Sequence, residues 1–240
     1  MSSPFDITQT LRHLSHGEIE VTGKLVDASN ATLYATCTYE GVAIACIYKP
    51  IAGERPLWDF EDGSLANREY ASFLLSHWME SDLVPPTVLR DGPYGTGMVQ
   101  AWVDIDESID LMEYFQRDDL QLRELALLDV VLNNTDRKIG HLLPHTTGHL
   151  YACDHGVTFH EEDKLRTVLW QWAGMSLTEE EMQWLMRLKI IIEGKGRVIL
   201  EGLINEMEYL ALLSRIERTL LEGRFPEPSQ EWPAVPWPPF

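Results

Sequence analysis

Three short stretches carry the residue types of phosphoryl-transfer chemistry. Residues 132–141 read LNNTDRKIGH, with Asp136 behind an apolar run. Residues 151–156 read YACDHG, with Asp154 behind a second apolar run and Gly156 two residues on. Upstream, Lys49 lies in IYKP, and Glu69 lies early in a helical pattern. Moving a phosphoryl group needs a cation on the phosphates and a carboxylate to hold a divalent metal. It also needs a second carboxylate beside the attacking hydroxyl. Because the transferred group is highly charged, positioning and electrostatics supply most of the catalysis. Lysine, glutamate, aspartate and Asp-x-Gly occur here in an order that meets those needs.

The surrounding elements must bring these groups together. GVAIACIYKP is a β-rich run closed by Pro50, so a strand holds the stem of Lys49 while its ammonium reaches into a cleft. Before it, EIEVTGKLVDASNATLYATCTY alternates in the manner of strands with DASN as a turn, which predicts a three-stranded meander. Residues 51–63 form a loop. Ser64 is the expected N-cap of a helix over about 65–79, with Ala66, Tyr70, Phe73, Leu74 and Trp78 near period 3.6. That helix places Glu69 where it can pair with Lys49. LVPPTVLRDGPYGTGMVQAWV predicts a strand hairpin.

The second half is mostly helical. DLQLRELALLDVVLNN leads into Asp136, and a hairpin between HLLP and HLYACD joins Asp136 to Asp154. KLRTVLWQWAG reads as a helix. TEEEMQWLMRLKIIIEG opens on a capping box, Thr178 with Glu181, and stops at Gly194. A last amphipathic helix closes at Gly223. The tail holds six of the 13 Pro and is expected to be extended. The pattern is thus an N-terminal segment (1–17), a β-rich lobe (18–103), a helical lobe (104–225) and a Pro-rich tail (226–240). This is an α+β, bilobal layout with a cleft between the lobes.

Bulk properties narrow the partners. The 240 residues, 45% hydrophobic, suffice for a sizeable core, and the net charge of −19 repels phosphate backbones and anionic lipid. Nucleic acid is excluded as a partner, and a membrane is not expected. Three widely spaced Cys give no disulfide framework, and the first residues show no apolar signal, so a cytoplasmic setting is expected. His141, His145, His149 and His155 are clustered in sequence, but Pro144 and Gly148 keep them off one helical face, so zinc is not expected.

NTDRKIGHLL followed by CDHGVTF resembles the catalytic and metal-binding motifs of the phosphatidylinositol 3-/4-kinase superfamily. The type II phosphatidylinositol 4-kinases and the HipA-type kinases are the nearest in character, and IYKPIAGERP resembles their Lys-Pro segment. The chain as a whole, over residues 18–225, resembles an actinobacterial phosphatidylinositol-kinase-like family. The resemblance implies a protein-kinase-like fold that binds ATP with Mg²⁺ or Mn²⁺. It implies that Lys49 holds the phosphates, that Glu69 orients Lys49, and that Asp136, with Arg137 beside it, is catalytic. Asp154 would bind the metal. Gly23, Lys24, Ser29 and Asn30, in the first hairpin, would cover the nucleotide, and Gln100, Trp102 and Val103 would line the adenine slot.

The sequence departs from that pattern twice. His141 stands where the related kinases carry an Asn metal ligand, so it is a candidate ligand of a softer kind. Little chain separates Asp154 from the next expected helix, which leaves no room for a long activation loop. The expected function is a phosphotransferase acting on a soluble protein or small-molecule acceptor. The alternatives are a nucleotide-binding pseudokinase that serves as a scaffold, and AMP transfer from the same cleft. The Pro-rich tail is a candidate ligand for a protein partner, or it folds back along the protein itself.

Overall fold

The computed structural model describes residues 4–25 and 31–240. Five strands form one antiparallel sheet: β1 (Glu18–Lys24), β2 (Leu33–Tyr39), β3 (Val42–Pro50), β4 (Thr87–Gly92) and β5 (Gly95–Ala101), in the spatial order β1-β2-β3-β5-β4. The alternation of side chains along a strand decides what each face carries. Ala35 and Cys37 on β2, Cys46 and Tyr48 on β3, and Val99 and Ala101 on β5 point to one face and are buried there with Leu14. Lys49 follows Tyr48 and therefore points to the other face. Gly97 of β5 is required beside it, because a Cβ there would lie 2.4 Å from the Lys49 carbonyl oxygen.

Each face of the sheet has its own helix. Leu14 belongs to α1 (Ile7–His16), whose N-cap Asp6 accepts from the Gln9 amide. This helix lies inside the N-terminal segment 1–17, for which the sequence reading gives no element. The Asp6 cap and the spacing of Ile7, Leu11 and Leu14 are its sequence signals. On the lysine face lies α2 (Leu65–Trp78). Ser64 occupies the N-cap position but makes no side-chain cap bond. The carboxylate of Glu54 takes that role, accepting from the amides of Leu65 at 3.1 Å and Ala66 at 2.8 Å.

The helical half is built on α4 (Leu120–Leu132), which is buried from Leu122 onward except at Glu124. Around it pack α5 (Glu179–Glu193) and α7 (Glu206–Glu222), with the short α3 (Leu111–Tyr114) and α6 (Lys195–Leu200) and the small hairpin β6 (Leu142–Pro144) and β7 (Leu150–Ala152). Thr178 and Glu181 do form the capping box, and Gly223 ends α7 in a left-handed conformation. Arg68 of α2 joins the halves, donating to the Thr158 carbonyl at 2.6 Å and pairing with Glu208 of α7.

The stretch KLRTVLWQWAG is not a helix. Its backbone donors are taken by distant chain: Arg166 N–H bonds the Asn134 carbonyl, Val168 N–H that of Arg137, and Thr167 N–H that of Ala234. The tail lies extended against this stretch. The Ala234 carbonyl also accepts from Trp170 Nε1, and the Pro239 carbonyl accepts from Ile139 N–H. Among the described residues, no helix is long and apolar enough to cross a membrane.

Candidate active site

The third strand, the helix that follows it and the end of β7 deliver one cation to two carboxylates. Lys49 Nζ donates to Glu69 Oε1 at 2.5 Å and to Asp154 Oδ1 at 3.0 Å. Glu69 is buried, and its second oxygen accepts from the His155 amide at 3.0 Å, which ties α2 to the strand end that carries Asp154. Burial alone would lower the Lys49 pKa, but Asp154 and Glu69 outweigh it and hold the ammonium above its ordinary value. Lys49 in turn is the largest influence on the Asp154 carboxyl and holds it far below the usual carboxylate range. Asp154 sits at φ +61°, a left-handed conformation that Asp tolerates better than most residues and that recurs where function fixes the backbone.

A second set of bonds shapes the loop carrying Asp136. Helix α4 ends at Asn133 in a left-handed turn. The Asn133 side chain then bonds the carbonyls of His160 and Glu162 and the amide of Lys164. Asn134 Oδ1 accepts from the Asp136 amide at 3.0 Å, while its Nδ2 donates to Asp129 Oδ1 at 2.9 Å. Asp129, fully buried in α4, also takes both arms of the Arg137 guanidinium at 3.0 Å. Arg137 then donates to the Cys153 carbonyl at 2.9 Å and to His155 Nε2 at 2.6 Å. Buried charge thus locks the Asp136 loop to the Asp154 turn.

Asp136 faces the same cavity as Lys49, Glu69 and Asp154, a space of about 210 Å³. Burial pushes its carboxyl pKa upward, opposed by the Lys138 ammonium 3.2 Å from Oδ2. A carboxylate shifted upward is a better proton acceptor than an ordinary one.

These donors fit a divalent cation shared with phosphates. Among the described residues, no three His, Cys, Asp or Glu side chains form a cage that could hold a metal alone. Mg²⁺ commonly takes one or two carboxylates plus substrate phosphates, and Asp154, with its side chain 48% exposed, offers that kind of ligand. His141 fits less well. Its Nδ1 accepts from the Lys138 amide at 3.4 Å, so its Nε2 carries the proton and faces Asp154 Oδ2 at 3.5 Å. Burial lowers its pKa to about 4, so the ring is neutral near pH 7. In that tautomer the ring offers Asp154 a proton rather than a metal a lone pair. His141, the expected second ligand, stands beside Asp154 and does not line the cavity.

The other expected residues divide. Arg137, expected beside the catalytic Asp136, is fully buried and does not line the cavity; its guanidinium sits behind the loop. Gln100 is buried and spends its amide on Thr87 Oγ1 at 2.9 Å. Trp102 stands edge-on to Tyr34 with Nε1 on Asp104, and neither it, Gln100 nor Val103 lines the cavity. Gly23 and Lys24 lie at the end of β1, while Ser29 and Asn30 lie outside the described residues. Asp129 and Glu54 join the site only in the folded structure. A lone Asp inside the apolar run LALLDVVL was the available signal for the first; the second had none.

No described family profile matches the chain. Among solved structures, a Helicobacter pylori proinflammatory kinase, CtkA, aligns over 87% of this chain and 93% of its own. Its TM-score is 0.48 at 10% identity, too loose a likeness to bear on the site. Among curated sequences, Protein Rv2133c of Mycobacterium tuberculosis is 38% identical over 262 residues, spanning 95% of this chain and 94% of that one. The chain belongs to the family of that mycobacterial protein.

Proposed function

We propose that this protein is an ATP-dependent phosphotransferase, a kinase of atypical type. One observation carries the proposal: Lys49 bonds Glu69 and Asp154 at once, at 2.5 and 3.0 Å, in a cavity that also holds Asp136. A lysine on the third strand paired to a glutamate on the following helix, with a metal-binding aspartate beside them, is the arrangement that protein kinases use. The motif resemblance to phosphatidylinositol 3-/4-kinase-like and HipA-type enzymes supports the same chemistry. Lys49 binds the phosphates and Glu69 orients it. Asp154 takes Mg²⁺ or Mn²⁺, which neutralises charge on the phosphates when bound. Asp136 accepts the proton of the acceptor hydroxyl. The net charge of −19 favours an acceptor that is not embedded in anionic lipid. The extended tail, with Trp237 exposed, remains available to a protein partner.

The test is release or transfer of label from γ-labelled ATP with each metal. The expected result is turnover that falls at least about a hundredfold in Asp136→Ala, the loss that removal of a general base brings. Equal turnover in the variant would refute the assignment. His141 favours a second reading. With its Nε2–H on Asp154 it supplies no second ligand, so the protein would bind nucleotide without turnover, as a pseudokinase. Metal-dependent ATP binding in a thermal shift, with no labelled product, would identify that state.

A further inference from the structure

The cavity that holds Asp136 does not run toward the end of β5, where adenine is expected. It runs the other way, past Pro50 and Leu57 to Leu65 and Val157. A second cavity of about 160 Å³ continues from it, sharing Glu54, Arg55, Leu57 and Leu65, and reaches Phe60. We propose that this double recess is the acceptor site, and that it takes a small free alcohol, uncharged or amine-bearing. The inference rests on the phosphotransfer reading of the neighbouring carboxylates.

The enclosing wall is residues 51–63, fastened to both lobes. On the sheet side, the Gly53 carbonyl accepts from Ala31 N–H at 3.1 Å, and Glu54 caps α2. On the helical side, Asp59 pairs with Lys164 at 3.4 Å, the Lys164 ammonium lies 5.0 Å from the Trp58 ring, and Phe60 stands edge-on to His160 at 5.5 Å. A protein acceptor presents its hydroxyl on a bulky chain and needs an open ledge beside the base. A wall tied across the cleft narrows it instead to two joined recesses of about 210 and 160 Å³, at the low end of the roughly 300–1,000 Å³ of small-molecule pockets.

The lining sets the chemistry. Leu57, Leu65, Pro50 and Val157 suit a compact apolar body. Glu54, Glu61 and Asp62 outnumber Arg55 around the outer cavity of a chain with net charge −19, so an acceptor already bearing carboxylate or phosphate is disfavoured. In the reaction, the acceptor oxygen bonds to the γ-phosphorus of ATP and the bond from that phosphorus to the bridging oxygen breaks. The hydroxyl proton passes to Asp136, and the products are a phosphate monoester and ADP.

Simple alcohols test this on the full chain. Label from γ-labelled ATP with Mn²⁺ is partitioned between water and methanol, butan-1-ol, 4-aminobutan-1-ol or 4-hydroxybutyrate. Each methylene entering an apolar recess contributes about fourfold, so butan-1-ol should exceed methanol by about tenfold or more. 4-Aminobutan-1-ol should match it, and 4-hydroxybutyrate should trail. Leu57→Trp, which fills the recess from a partly exposed position, should bring the butanol-to-methanol ratio close to one. A ratio near one in the unmodified protein, a ratio unchanged by Leu57→Trp, preference for 4-hydroxybutyrate, or faster labelling of casein than of any alcohol would each overturn the inference. If the unmodified protein turns over no ATP, the phosphotransfer reading fails separately, and the recess is judged by binding. Saturable butan-1-ol shifts at the methyl signals of Leu57, Leu65 and Val157 then support it, and unmoved signals overturn it.

Discussion

Replacing Arg137 separates holding the fold from positioning the site. The guanidinium and Asp129 are both fully buried, and the pair exchanges bonds at 3.0 Å to each carboxylate oxygen. Arg137→Met leaves the Asp129 carboxylate in the core with only the Asn134 amide at 2.9 Å and a long contact to Thr167 Oγ1 at 3.4 Å. Stranding one member of a buried ion pair costs about 3–5 kcal/mol, a large part of the roughly 5–15 kcal/mol that holds a domain folded. Neutralising the partner as well, in Arg137→Met with Asp129→Asn, should recover about 2 kcal/mol or more of that loss, because no unpaired charge remains. Urea unfolding of the four proteins in the cycle measures both quantities. Activity should not recover with stability. The double variant still lacks the bonds from Arg137 to the Cys153 carbonyl and His155, which fix the turn that presents Asp154. A displacement of about 1 Å there can cost on the order of a hundredfold in rate. A single variant that loses less than about 1 kcal/mol, or a double variant with restored turnover, would refute the assignment of Arg137 as a positioning residue.

Other perturbations bear on separate parts of the molecule. Lys138 holds the Asp136 carboxyl down against burial, and Asp136 must be ionised to accept a proton. Lys138→Met should therefore move the acid limb of the pH profile of kcat/KM to higher pH, and a limb that stays or falls would break the link. Lys164 lies between the rings of Trp58 and Trp232, at 5.0 and 4.9 Å, and pairs with Asp59 and Glu162. Lys164→Met should cost about 2–4 kcal/mol from cation–π and ionic contacts. It should also expose residues 51–63 to limited proteolysis, whereas an unchanged melting temperature and cleavage pattern would show the staple to be idle. Burial pushes the Cys46 thiol up to about 12, and Cys37 is raised and buried beside it. A disulfide exchange reagent at pH 8 should leave both unreacted until the protein unfolds; rapid reaction of either in the native state would contradict the packing of the sheet.

The parts of this protein legible in the chain were those governed by near neighbours. Period-two alternation set Lys49 on the face opposite Tyr48 and the helix period set Glu69 near the start of α2, because backbone geometry allows little else at those spacings. Thr178 with Glu181 and the stop at Gly223 were readable for the same reason, since a cap bond spans three residues. The tertiary structure decided whatever depended on a partner far along the chain. Glu54, not Ser64, caps α2 because the 51–63 segment folds back on it. Residues 164–174 lose their helix because distant carbonyls, including Ala234 of the tail, take their amides. Arg137 leaves the cleft because the turn after α4 folds it back onto buried Asp129 and because Cys153 and His155, brought up by β7, take its remaining donors. The direction of the cavity, away from Gln100 and toward Leu57, follows from where the wall is anchored. Local bonds are encoded by adjacent side chains, whereas a burial site or an electrostatic partner exists only once the whole chain has closed around it.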